Sequence, residues 1–210
     1  MLTHKHKVIK GLHVGYSLIV VGCIVVAFFI LQSVNVIPSF RSSFEHVTGE
    51  AIDSLNGVEV FFNGEISHVD GRNVSKEGYN IGLKWQCVEF VKRYYYEYFN
   101  HVMPDAYGNA KDFYNKDLPD ASYNEQRALV QYANPSLKKP EVNDIIVFDG
   151  HLGNRYGHIA IISKVSEDHI EIIQQNPGPG DPSREELQIV LADDHWRVMH
   201  KRCLGWLRIE

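Results

Sequence analysis

Lys84-Trp85-Gln86-Cys87-Val88-Glu89-Phe90-Val91 joins a loop to a helix, with a cysteine at the junction. Downstream, the apolar and aromatic residues are Val88, Phe90, Val91, Tyr94, Tyr95, Tyr98 and Phe99. Their i, i+3, i+4, i+7 spacing predicts a helix with one buried face, ending near Asn100. Upstream, Glu77-Gly78-Tyr79-Asn80-Ile81-Gly82 has the composition of turns. Cys87 therefore falls in the first helical turn, where unpaired backbone N–H groups and the helix dipole favour negative charge. A thiol so placed is expected to ionise more readily, and the thiolate is the nucleophilic form. A lone cysteine is commonly a buried, inert residue, so the reading depends on what else the chain supplies.

The helix's other face carries Glu89, Lys92, Arg93 and Glu97. Glu89 and Lys92, and Glu89 and Arg93, stand at i,i+3 and i,i+4 separations, which reads as a solvated face laced by ion pairs. Tyr94, Tyr95, Tyr96 and Tyr98 are read as core and rim rather than as a binding platform.

On the N-terminal side, Leu12 to Leu31 carries no formal charge and is mostly aliphatic or Phe. That length suits a helix crossing a bilayer. Lys5, Lys7 and Lys10 precede it, so the N-terminus is expected to stay cytoplasmic. The apolar run is long for a signal peptide, and Leu31-Gln32-Ser33-Val34-Asn35 is a poor cleavage site. The organisation expected is a tail over 1–11, an uncleaved anchor over 12–38, a polar stalk over 39–56 and one domain over 57–210, outside the cytoplasm. Setting those three lysines aside leaves 18 of the 21 basic residues against all 26 acidic ones, a formal charge of −8 from residue 41 onward. An acidic domain is a poor match for nucleic acid, whose affinity comes mostly from phosphate neutralisation.

Within the domain, Val58-Glu59-Val60-Phe61-Phe62 followed by Asn63-Gly64 predicts a short strand or hairpin. Short helices are expected over 104–115 and 123–133. After Pro140 the pattern changes to short apolar runs of period two. Strands are predicted at Ile145–Phe148, His158–Ile162, Ile170–Asn176, Leu187–Leu191, Trp196–Met199 and Leu204–Ile209. Helices followed by antiparallel strands make an α+β domain, with helices packed on one face of a sheet. Asn73-Val74-Ser75 matches a glycosylation acceptor by pattern alone.

There are eleven histidines, so the presence of one means little. His158 differs because it opens a buried-looking strand directly after a glycine-containing loop. Gln174 and Asn176 close the next strand, pointing to one face while Gln175 points to the other. A tight hairpin would bring either side-chain oxygen to the imidazole. A base held by an orienting group is what an activated cysteine requires. His151, mid-loop, is the alternative base. No His/Cys/Asp pair has metal-ligand spacing, and no cofactor is implied. A Cys87–Cys203 disulfide would abolish the nucleophile.

These residues resemble the CHAP family of cysteine- and histidine-dependent amidohydrolases and peptidases. The resemblance rests on Lys84–Phe90, then Gly157-His158-Ile159-Ala160-Ile161-Ile162, then Gln174-Gln175-Asn176 and Leu204-Gly205-Trp206. It is nearest to the amidase domains joined to glutathionylspermidine synthetases. It implies a papain-like fold, Cys87 as nucleophile and His158 as general base. The family's third motif is usually Glu-x-Asn. Here Gln174 stands at the Glu position and Asn176 is kept, which implies weakened activity or a site oriented by Asn176 alone. Gln86 and Trp85 are carried as oxyanion or substrate contacts. The substrates implied are glutathionylspermidine, whose polyamine an acidic domain would suit, or cell-wall peptides reached from an extracytoplasmic position. A catalytically inactive binding module is the third reading.

Overall fold

The computed structural model describes residues 46–178 and 180–210, together with Ile24 alone from the N-terminal stretch. Apart from Ile24, the predicted anchor over 12–38 lies outside the described residues. Among the described residues no helix is long and apolar enough to cross a membrane.

Two short strands, β1 (Ala51–Leu55) and β2 (Val58–Phe61), pair antiparallel. The turn between them is Asn56-Gly57, with φ of 50° and 85°. Two successive positive φ values suit the right-handed twist of a two-residue hairpin. The predicted strand is β2, but its hairpin turn is Asn56-Gly57 rather than Asn63-Gly64, and the end of the predicted stalk is a strand. Asn63 is instead buried, accepting a hydrogen bond from the backbone N–H of Trp85 at 3.1 Å. Next come β3 (Arg72–Val74) and β4 (Asn80–Leu83), a second small antiparallel pair, and then α1 (Cys87–Phe99). The helix stops at Asn100, whose φ of 52° gives the left-handed C-cap that Asn tolerates.

The main sheet is antiparallel throughout and has eight strands in the order β11-β10-β9-β8-β7-β12-β6-β5. These are β5 (Ser122–Asn124), β6 (Leu129–Ala133), β7 (Ile145–Phe148), β8 (His158–Val165), β9 (His169–Ile173), β10 (Arg184–Ala192), β11 (His195–Val198) and β12 (Cys203–Arg208). All four residues of β7 are buried. Ile145 and Val147 face α1, where Phe90, Val91, Tyr94 and Tyr95 close one core. Ile146 and Phe148 face a second core with Ile162, Ile172, Ile189 and Trp206. The sheet itself covers that second core. Ser136, just past β6, exchanges backbone hydrogen bonds of 2.7 and 3.0 Å with Trp196 of β11, so the sheet curls until its two ends nearly meet.

The helices expected over 104–115 and 123–133 are absent, and the domain is richer in sheet than predicted. Only Ala110–Phe113 is helical in the first segment, as a 3₁₀ turn capped reciprocally by Asn109 and Asp112. The carbonyls of Asp105, Tyr107 and Asp112 accept from the buried guanidinium of Arg127. That one cation satisfies loop oxygens which a helix would have paired internally. Residues 122–133 form the β5–β6 hairpin. The helix-forming run Glu125-Gln126-Arg127-Ala128-Leu129 is overridden because Val130–Ala133 pair with β12.

Of the polar face of α1, Glu97 is exposed as predicted, but the other three residues are not. Glu89 is fully buried, and Lys92 and Arg93 are nearly so. Glu89 takes Arg93 Nε at 2.7 Å and Asn73 Nδ2 at 2.8 Å on one oxygen, and Gln175 Nε2 at 2.9 Å on the other. Lys92 donates to the carbonyls of Asn80 and Ala106. The small β3–β4 sheet lies over this face and buries it, which the i,i+4 spacing could not reveal. Gly82 makes the close approach possible: a Cβ there would lie 2.8 Å from the Cα of Glu89.

Candidate active site

Cys87 is the first residue of α1, and its helix packs against β8, which begins at His158. The N-cap residue Gln86 makes no side-chain cap. Cys87 is half-buried and its thiol is pushed up to about 11, chiefly by burial. Backbone hydrogen bonds from Ile159 and Val88 offset only part of that. The expectation of a readily ionised thiol is therefore reversed. The helix-start donors are present, but loss of solvent outweighs them. The contact with Ile159 also places the sulfur beside the His158–Ile159 peptide. Cys87 and Cys203 are both free, so no disulfide competes for the thiol.

Gly157 aims His158. Its φ is 78°, and a Cβ there would come within 2.5 Å of the carbonyl oxygen of Phe148. Only glycine brings the loop so close to β7 before the chain enters β8. The imidazole stacks on Phe148 at 6.3 Å between centroids.

The β8–β9 hairpin is tight and pairs Ile161 with Ile173. The first residue of β8 thus lies beside the chain just beyond β9. There Gln174 Oε1 is 2.9 Å from His158 Nε2. The amide nitrogen of Gln174 donates to the carbonyl of Pro182 at 3.3 Å, which fixes its oxygen toward the ring. An oxygen that can only accept requires Nε2 to carry the proton, leaving Nδ1 with a free lone pair. Burial pushes His158 down to about 4, against a smaller upward effect of Gln174. At neutral pH the resting pair is therefore a neutral thiol and a neutral imidazole.

Asn176 does not reach the imidazole. Its Nδ2 donates to Ile66 O and to Gln86 Oε1, both at 2.9 Å. Gln86 in turn donates its amide hydrogens to the carbonyls of Ile66 and His68, at 3.1 and 2.7 Å. Both hydrogens are engaged, so Gln86 braces the 66–68 loop and is not placed as an oxyanion donor. Trp85 packs on Phe61 at 4.2 Å and lies away from the cleft, against the expectation of a substrate contact. His151 is exposed and outside the cleft.

Gln175, assigned to the opposite face, is a buried brace. It accepts from Phe61 N–H at 2.8 Å and donates to Gln86 O at 3.0 Å and to Glu89. One side chain thus ties the end of β9 to β2 and to the helix start. The alternation of Gln174, Gln175 and Asn176 was the signal for it.

Cys87, His158 and Asn176 line one cleft of about 920 Å³. Its walls come from Ile66, Ser67, Val69 and Arg72, from Asn80, Gly82 and Leu83, and from residues 106–110 and 152–157. Among the described residues, no group of three His, Cys, Asp or Glu side chains is arranged to hold a metal ion. A thiol and an imidazole whose tautomer is fixed thus line one open cleft, an arrangement with the chemistry that acyl transfer needs.

Residues 78–176 match the family model of the CHAP domain. Trypanothione synthetase of Crithidia fasciculata is 34% identical over 116 residues, covering 55% of this chain and 17% of that protein. Glutathionylspermidine synthase of the same organism is 28% identical over 101 residues, 47% of this chain and 14% of that one. The bifunctional glutathionylspermidine synthetase/amidase of Escherichia coli (strain K12) is 27% identical over 138 residues, 60% of this chain and 22% of that one. The chain spans less than a quarter of the length of these relatives. Among solved structures, that of Ly7917 with the hydrolyzing product of MDP gives a TM-score of 0.28 at 23% identity, over 45% of this chain and 39% of that one, too slight a likeness to argue from. The family and the amidase relative point to a hydrolase acting on amide bonds.

Proposed function

From the match of residues 78–176 to the CHAP family model, we propose that the chain is a CHAP-type, membrane-anchored cysteine amidohydrolase working through a thioester. His158 Nδ1 takes the thiol proton as the Cys87 sulfur attacks an amide carbonyl. The imidazolium returns that proton to the departing amine. Water, deprotonated by His158, then hydrolyses the thioester and frees the acid. The backbone N–H of Cys87, at a helix start without a side-chain cap, is the donor assigned to the oxyanion.

The observation that carries this reading is the bond from His158 Nε2 to Gln174 Oε1, with the Gln174 amide held by Pro182. It leaves the free lone pair on Nδ1 of a residue that lines the same cleft as Cys87. Gln174 holds the tautomer as a carboxylate would, but gives no charge stabilisation to the imidazolium.

Two substrates are in view. The sequence relatives favour a glutathionylspermidine-like amide. The apolar run over 12–38, read as an anchor with a cytoplasmic N-terminus, favours cell-wall peptides outside the cytoplasm. The test incubates the full chain in detergent, wild type and Cys87→Ala, with glutathionylspermidine and separately with muropeptides. Products are read by mass spectrometry. Release from either substrate by the wild type alone supports the amidohydrolase. Release from neither favours a binding module.

A further inference from the structure

The domain is acidic, but its cleft is not. Arg72 and Arg155 are the only residues with a full formal charge among those lining the cavity, which has no Asp or Glu in its wall. They approach from two different segments, β3 and the 150–157 loop, on the walls beside Cys87 and His158.

Each guanidinium is held by a neutral group. Arg72 NH1 donates to Asn80 Oδ1 at 2.7 Å. The Asn80 amide nitrogen is bound to the carbonyl of Ala106 at 2.9 Å, which turns its oxygen toward the arginine. Arg155 NH2 meets the Tyr156 hydroxyl at 3.0 Å. Its loop is closed tightly: a Cβ on Gly150 would lie 2.7 Å from the carbonyl oxygen of Arg155. Asn154 pins the loop end through Gly157 O and Tyr156 N. Neither arginine forms an ion pair with a carboxylate among the described residues, although the domain is acidic overall.

Two unneutralised guanidiniums in a concave, partly apolar wall attract and orient an anion, and the fork of arginine matches a carboxylate. A polyamine cation meets the opposite field. We infer that Arg72 and Arg155 form a carboxylate-binding subsite. The cleft then selects amides whose acyl part is an acidic peptide, and it offers no site to a cationic leaving group. This rests on the amidohydrolase reading for its catalytic meaning. It runs against the expectation that an acidic domain would receive the polyamine.

The test reads occupancy rather than turnover, so it stands even if no amide is cleaved. The full chain in detergent is alkylated with iodoacetamide, and the rate at Cys87 is followed by peptide mass spectrometry. S-methylglutathione, an acidic peptide that cannot exchange thiols, and spermidine are added separately as protectants. S-methylglutathione is expected to slow labelling of Cys87, and spermidine to have no effect. In Arg72→Gln/Arg155→Gln the concentration needed for half-protection is expected to rise at least about tenfold, because charge-assisted bonds to both arginines are lost. Sodium chloride should weaken protection in the wild type and not in the variant. Protection by spermidine, absence of protection by S-methylglutathione, or protection unchanged in the double variant would each overturn the subsite. A failed amidohydrolase reading is seen separately, as absence of Cys87-dependent product.

Discussion

The Nε2 atom of His158 lies 2.9 Å from the Oε1 atom of Gln174. An uncharged amide therefore stands against the imidazole where the family usually places a carboxylate. It fixes the proton on Nε2, and its upward effect on the ring's basicity is smaller than the downward effect of burial.

Changing that partner should separate its two effects. Gln174→Glu puts a carboxylate beside the ring, so the His158 pKa rises, by roughly 1–3 units for a close opposite charge. The acid limb of kcat/KM should move up with it, and kcat should increase. Gln174→Ala frees the ring and should lower kcat/KM by roughly tenfold to a hundredfold through misorientation. Initial rates over a pH series check both.

Neutral resting groups define the wild-type pH profile. With His158 pushed down to about 4 and Cys87 pushed up to about 11, the productive state spans the range between them. The expected kcat/KM is flat across the neutral range, and an acid limb centred near the ordinary histidine value would contradict it. The sign for stability follows from the same shift. A histidine depressed in the folded state contributes stability above its unfolded value of 6.5, lost as pH falls from there toward about 4. Denaturant titrations of wild type and His158→Gln at several pH values should converge on the acid side of that window.

Glu89 is buried and takes hydrogen bonds from Arg93, Asn73 and Gln175. Glu89→Ala leaves the Arg93 guanidinium buried without its partner, and should cost about 3–5 kcal/mol. Chemical denaturation measures this directly. A cost within 0.5 kcal/mol, the usual range for a surface substitution, would mean that the face is solvated after all.

Gly157→Ala meets both a positive φ and the Phe148 carbonyl. It should lower the melting temperature and reduce turnover together, because strain at 157 is relieved only by moving His158. Gly57, also at positive φ but with open space around its Cβ, serves as the control. Gly57→Ala should lose stability with little change in turnover.

Much of the site could be read from the sequence because it sits at junctions between elements. Cys87 opens a strongly periodic helix and His158 opens an apolar strand, and both patterns are local. The β8–β9 hairpin made Gln174 or Asn176 the candidate orienter. The choice between them depended on where β9 ends, which is Ile173 and not residue 176.

Other features were set by distant contacts that no local pattern carries. Glu89, Lys92 and Arg93 read as solvated because nothing nearby announces that β3 and β4 cover them. Residues 123–133 favour a helix locally but pair with β12 at the far end of the domain. The ionisation of Cys87 was misjudged because position in a helix is visible in sequence, whereas burial is not. Arg72 and Arg155 are 83 positions apart in the chain, and only the folded cleft makes them one feature.

The most direct test of the central claim is capture of the acyl-enzyme. Full-length wild type and His158→Ala are mixed with glutathionylspermidine and, in parallel, with muropeptides, quenched in acid within the first turnovers and weighed as intact proteins. The account predicts a mass gain equal to the acyl part of one of these substrates, mapped to Cys87 and absent or much reduced in His158→Ala. Cleavage of either substrate without an adduct at Cys87, and undiminished in Cys87→Ala, would contradict it.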